Sequence, residues 1–245
     1  MGTQRKSAAA TKGGAPRGAE LIAEVVAAIE ALGAGLPSDR MLDARRKRGA
    51  PNPKPKPMAP ELLASLRLSS GRPLPQSLAA WLAYDGAWQP LDVDPVKKVL
   101  RPSTFKELLR RAMPTVAPSF EGLGDVLLPG GCHRVWIPSE CSDSSVVFLY
   151  EPATGDDGEP PVVGLDFSDS GIVGLFACGF DVYMARVMQV CEGLPYALGA
   201  GPAPYADASR AALQRIISAA PKAIQKKLYV DEDVIAVGSL AVYDV

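Results

Sequence analysis

The chain has 245 residues, of which 47% are hydrophobic, 22% charged and 7% aromatic, with a formal net charge of −1. That is enough apolar material for a packed core, so collagen-like and wholly disordered chains are excluded, while 23 glycines and 23 prolines point to long irregular segments. A single histidine argues against histidine-based metal sites and histidine-based catalysis.

Residues 1–17 are rich in Ala, Gly, Lys and Arg and read as disordered. Residues 19–32 read as a helix, with Leu21, Ile22, Val25, Val26 and Ile29 at helical spacing and Gly33 and Gly35 as stops. A charged helical piece over 39–48 ends in Arg45-Arg46-Lys47-Arg48, and the alternating prolines of 51–57 impose an extended linker. The globular part is expected to start near Met58. Pro60–Leu68 and Pro75–Tyr84 read as helices, the second carrying Leu78, Trp81 and Leu82 on one face, with Trp81 read as core. Trp88–Val93 suggests a strand. Ser103–Met113 suggests a helix, with Glu107 placed for a capping box if Thr104 is the cap. Residues 114–131 look irregular.

The pattern then becomes β. Arg134–Ile137 and the β-branched and aromatic run Ser145–Tyr150 read as strands. Pro161–Phe167 and Ile172–Ala177 read as a hairpin around Ser168–Gly171. Helices follow at Phe180–Cys191 and Asp207–Lys227, the latter interrupted near Pro221, with a final strand at Val234–Tyr243. Helices at both ends of a central antiparallel run imply an α+β fold: a central antiparallel sheet flanked by helices, with helical N-terminal and C-terminal extensions. The division this suggests is a flexible basic arm with one helix and a Pro-rich linker over 1–57, a domain over 58–200, and a C-terminal helix with a possible strand over 201–245.

Charge is distributed unevenly. Residues 1–57 hold 11 Lys/Arg against 5 Asp/Glu, and residues 58–245 hold 15 against 22. No Lys or Arg occurs from Val135 to Ala185, a stretch that carries nine carboxylates. Such a field steers a basic partner and raises its association rate. A nucleic-acid-binding domain shows the opposite, a basic folded face, and the basic arm lacks aromatics to stack on bases, so no direct nucleic-acid contact is expected. No apolar run is long enough to span a membrane, and the N-terminus lacks the apolar stretch of a signal peptide, so a cytoplasmic location is expected.

The sequence carries little that reads as a catalytic or metal motif. There is no G-x-S-x-G elbow, and only His133 is available to activate a nucleophile. Cys132 and His133 are adjacent, so on a strand their side chains point to opposite faces. None of Cys132, Cys141, Cys178 and Cys191 forms a C-x-x-C pair, and Asp156-Asp157-Gly158-Glu159 lacks the ligand alternation of a calcium loop. No cofactor and no metal site is expected.

Three segments carry a resemblance. The first is Leu74-Pro75-Gln76-Ser77-Leu78 running through Trp81-Leu82 to Asp85-Gly86; the second is Phe148-Leu149-Tyr150 followed by Gly158-Glu159-Pro160-Pro161-Val162-Val163-Gly164-Leu165-Asp166; the third is Gly179-Phe180-Asp181-Val182-Tyr183-Met184-Ala185. Their order and spacing over roughly 60–190 resemble the SUKH superfamily, which joins fungal cell-wall-synthesis regulators to bacterial immunity proteins. The segment 93–131 is long for that family, and the two terminal segments match nothing in it. The resemblance implies an α+β domain without enzyme activity, many of whose members bind and block a toxin, often a nuclease.

A nuclease cleft is basic because it holds phosphates, so an inhibitor gains by presenting carboxylates. The expected partner is therefore a basic protein toxin. The candidate contact residues are Glu151, Asp156, Asp157, Glu159, Asp166 and Asp169, with Trp136 and Tyr150 as aromatic anchors. The alternatives are a regulatory or scaffold protein of the same fold with several weaker partners, and an enzyme using His133 or a paired carboxylate.

Overall fold

The computed structural model describes residues 15–31, 55–86, 91–112, 130–135, 145–166, 172–188, 190, 203–222, 228–230 and 239–242. Its centre is an antiparallel sheet of six strands. In chain order β3 is Cys132–Arg134, β4 Ser145–Tyr150, β5 Val162–Asp166, β6 Ile172–Ala177, β7 Leu228–Val230 and β8 Ser239–Val242. They lie in the order β3-β4-β5-β6-β8-β7. A separate short ribbon pairs β1 (Val93–Asp94) with β2 (Val99–Leu100).

Strand β4 explains why the sheet is central. Val146 to Tyr150 are consecutive and all buried. Successive strand side chains point to opposite faces, so both faces of the sheet are covered here, and the strand reads as a continuous apolar run rather than an alternation. Gly164 of β5 is required by a close approach. A Cβ there would lie 2.3 Å from the Val146 carbonyl oxygen and 2.9 Å from the Phe176 ring.

The helices are α1 (Gly18–Ala31), α2 (Pro60–Ser65), α3 (Gln76–Asp85), α4 (Phe105–Ala112), α5 (Phe180–Val187) and α6 (Ala206–Ala219). Every residue of α5 is buried, as expected of a helix enclosed on all sides. It packs against α1, α3 and β6. Helix α6 packs on β6 and on the 3-10 turn Glu151–Ala153. Helices and an antiparallel sheet around one core make this an α+β fold.

Most expected elements are present, with shifted ends. The capping box of α4 forms as read: the Thr104 N–H donates to Glu107 Oε2 at 2.8 Å, and the Glu107 N–H to Thr104 Oγ1 at 3.2 Å. Helix α2 stops at Ser65, because Arg67 leaves to bridge Pro73 and Val99. Helix α6 ends before Pro221. Strands β2 and β7 were not expected, and both are short. The second helix read at 39–48 lies outside the described residues.

The terminal segments, read in the sequence as separate from the central domain, share its core where they are described. Helix α1, assigned to a flexible arm, buries Leu21, Ile22, Val25 and Ile29 in the same core as the sheet. The end of the linker is held as well, since the Met58 N–H donates to the Leu82 carbonyl and the Gly86 N–H to the Lys56 carbonyl. At the other end α6 buries Ala212, Leu213 and Ile216 in that core, and β8 pairs with β6. The terminal segments supply apolar faces that the central part alone leaves uncovered.

Candidate functional site

The loop between β4 and β5 carries most of the candidate residues, and the structure sorts them into interior and surface. Glu151 and Glu159 stand at its two ends and are both buried, while Asp156 and Asp157 lie between them and are exposed. The loop is closed on itself: the Gly155 N–H donates to the Glu159 carbonyl and the Gly158 N–H to the Gly155 carbonyl. Gly158 takes φ +78°, which only glycine adopts freely.

Glu159 anchors the start of α3. Its Oε1 accepts the Ser77 N–H at 3.0 Å and its Oε2 accepts the Ser77 hydroxyl at 2.5 Å. The first N–H groups of a helix lack intrahelical acceptors, so a carboxylate from a distant loop does the work of a cap. The Leu-Pro-x-Ser segment and the Gly-Glu-Pro segment therefore meet through this one side chain. Burial pushes the Glu159 carboxyl up to about 7, opposed by the Ser77 hydroxyl and N–H and assisted by the charges of Asp181 and Asp157.

Glu151 is held differently. Its Oε2 receives the Ser69 hydroxyl at 2.6 Å and lies 2.7 Å from His133 Nε2, and its Oε1 accepts the Ser70 N–H at 2.8 Å. Burial raises its pKa, but the bonds from His133, Ser69 and Ser70 outweigh that and bring it to about 2. An ionised carboxylate only accepts, so His133 Nε2 carries the proton of that contact. This trio is not a nucleophile relay. In a serine hydrolase the imidazole lies between hydroxyl and carboxylate, whereas here Glu151 lies between Ser69 and His133.

A third carboxylate, Asp181 at the start of α5, is fully buried and binds the N-terminal segment. Its Oδ2 accepts the Gly18 N–H at 2.6 Å and Arg17 Nε at 2.7 Å. Arg17 also reaches Asp157 at 3.1 Å, and the Tyr205 hydroxyl donates to the Pro16 carbonyl. Burial works against the Arg17 charge, but Asp181 foremost holds its pKa above the ordinary arginine value. Among the described residues no three His, Cys, Asp or Glu side chains are placed to hold a metal ion.

Two concavities flank the loop. A groove of about 370 Å3 is lined by Leu68 and Arg72 to Gln76 on one wall and by Thr154 to Gly158 on the other. A second of about 320 Å3 lies over Glu151, between Ser69, Ser70, Arg72, Gly131 and Pro152.

The expected contact residues fall on both sides of that division between interior and surface. Tyr150 is fully buried in β4, so it belongs to the core and presents nothing to a partner. Glu151 and Glu159 are interior groups with internal hydrogen-bond partners. Asp156 and Asp157 remain on the surface. Asp166 ends β5, where its backbone pairs with Ser145 and Ile172. Trp136 and Asp169 lie outside the described residues. The sequence reading missed Arg17, Ser69, Ser77, His133 and Asp181 as charge-organising residues, because their partners are distant in the chain and no spacing rule connects them.

No protein-family model matches the chain, and no curated protein matches it. Among solved structures, an uncharacterized protein from Salmonella enterica subsp. enterica serovar typhimurium str. 14028s is similar at 18% identity over 73% of this chain and 90% of that chain, with a TM-score of 0.49. No helix among the described residues is long and apolar enough to cross a membrane.

Proposed function

We propose that this chain is a non-enzymatic immunity protein that binds and neutralises a basic protein toxin, such as a nuclease, through the acidic loop between β4 and β5. The observation that carries the reading is the exposed Asp156-Asp157 pair on the rim of the 370 Å3 groove. A surface carboxylate pair beside a concave wall attracts a basic side chain and gives it a seat. The resemblance to the SUKH superfamily supplies the toxin as the kind of partner.

The test is affinity capture of the full chain from its host at low and moderate salt, followed by co-expression with the captured protein. The expected result is one dominant basic partner, weakened by salt, whose toxicity is relieved by the chain and not by the Asp156→Lys variant. Asp156 is the residue of choice because it is exposed, whereas Asp157 also pairs with Arg17. A partner bound equally well by Asp156→Lys removes this loop from the interface. Several weak partners without toxicity support the regulatory reading instead.

A further inference from the structure

We propose that the groove is gated by a proton on Glu159, whose ionisation adds a charge beside Asp157 and Asp181 and loosens the acidic loop that forms one wall. This rests on the binding reading above only for the meaning of the groove, not for its chemistry.

The geometry makes Glu159 the tie between the walls. Its side chain holds Ser77, next to the groove-lining Pro75 and Gln76. Its backbone belongs to the opposite wall: its N–H donates to Asp157 Oδ1 at 3.1 Å and its carbonyl accepts the Gly155 N–H at 3.1 Å. The surroundings crowd negative charge at this junction. Asp181 faces it from α5 and Asp157 from the loop, both raising its pKa. The cation bound to those two carboxylates is Arg17, at 2.7 Å and 3.1 Å. From α6, Arg215 lies against Gly155 and donates to the Ala153 carbonyl, and the buried Cys178 thiol lies near Arg17 and Asp181. Helix α3 contributes only neutral groups here, Ser77 and Gln76.

Both protonation states can keep the contact to Ser77. A neutral Glu159 accepts the Ser77 N–H on its carbonyl oxygen and donates its own proton to the Ser77 hydroxyl oxygen. An ionised Glu159 keeps both bonds but adds a third carboxylate charge to Asp157 and Asp181, and of these two Asp157 is the exposed one. Burial, with the Ser77 bonds opposing and the two aspartates assisting, puts the changeover at about 7.

The experiment is amide hydrogen exchange of the full chain alone, corrected for intrinsic exchange, at about pH 6 and about pH 8. Peptides covering 154–160 are expected to open about tenfold more at the higher pH, the step a single group titrating near 7 imposes. Glu159→Gln is expected to abolish that step. In parallel, the Glu159 carboxyl carbon resonance should titrate near 7 in the parent chain and lower in Asp157→Asn, which folds irrespective of Glu159→Gln because Asp157 is exposed. A Glu159 midpoint in the ordinary carboxylate range overturns the proposal, as does an exchange step that survives Glu159→Gln. No partner is present in either measurement, so a flat result leaves the Asp156→Lys outcome standing.

Discussion

Glu151 and Glu159 close the two ends of one loop, both are buried, and both are bonded to serines, yet they are driven in opposite directions. Glu151 receives a histidine N–H, a hydroxyl and a backbone N–H and falls to about 2. Glu159 receives two donors from one serine, faces Asp181 and Asp157, and rises to about 7. Burial acts upward on both. At Glu151 the donors outweigh it, whereas at Glu159 burial prevails over the two Ser77 bonds and the neighbouring aspartates reinforce it. One carboxylate is a fixed charge that ties β3 and the Ser69-Ser70 turn to the loop. The other is poised to change charge at neutral pH.

The largest way to break the comparison is to treat Glu159 as the surface residue the sequence suggested. Glu159→Lys places an ammonium in a buried site and strips Ser77 of its acceptor. It should cost about 3 kcal/mol in urea unfolding, the upper end for leaving buried donors unsatisfied, because Asp157 and Asp181 offset part of the burial of the ammonium. Asp156→Lys on the same loop should stay within about 0.5 kcal/mol, as exposed substitutions do. Equal effects at the two positions would mean that Glu159 is not interior.

Next in size is the pH profile, where the two groups act with opposite sign. Glu151 is depressed from 4.5 to about 2, so its contribution is present above about 4.5 and is lost as pH falls through about 2. Glu159 is raised from 4.5 to about 7, so its contribution is complete below about 4.5 and is lost as pH rises through about 7. Each displacement corresponds to about 3 kcal/mol at most. Together they place a stability maximum near pH 4.5 for these two groups, with a limb falling on either side. Urea unfolding across pH should show Glu151→Gln flattening the acid limb and Glu159→Gln the neutral one. A neutral limb untouched by Glu159→Gln belongs to another group.

How much of this was legible in the chain differs between framework and site. The strands at 145–150 and 172–177 coincide with their expected ends, because β-branched and aromatic runs bounded by polar residues carry a local signal. The capping box at Thr104 is equally local, written over four residues. What was not legible depends on contacts across the fold. Nothing near Arg17 in sequence announces Asp181, and nothing near His133 announces Glu151, since each pair is made by tertiary packing. The acidic stretch was a true composition, but composition does not say which carboxylates a fold keeps for itself. Glu159 lies beside two aspartates in sequence and differs from them only because its side chain meets the start of α3.

The smallest effect sharpens the comparison most. Ser69→Ala and Ser77→Ala each delete one hydroxyl donor to a buried carboxylate and should each cost about 1 kcal/mol near neutral pH, the net worth of such a bond. Both deletions raise the carboxyl they served, because each removes a bond to its ionised form. The consequences diverge. Ser69→Ala moves Glu151 from about 2 back toward its ordinary value, so the acid limb shrinks. Ser77→Ala moves Glu159 from about 7 still further from it, so the neutral limb extends to higher pH. Unfolding free energies of the two variants measured across pH distinguish these shapes even where their losses at a single pH are equal. A Ser77→Ala variant whose neutral limb moves to lower pH would show that the Ser77 hydroxyl serves the protonated carboxyl, with Glu159 as the donor of that bond.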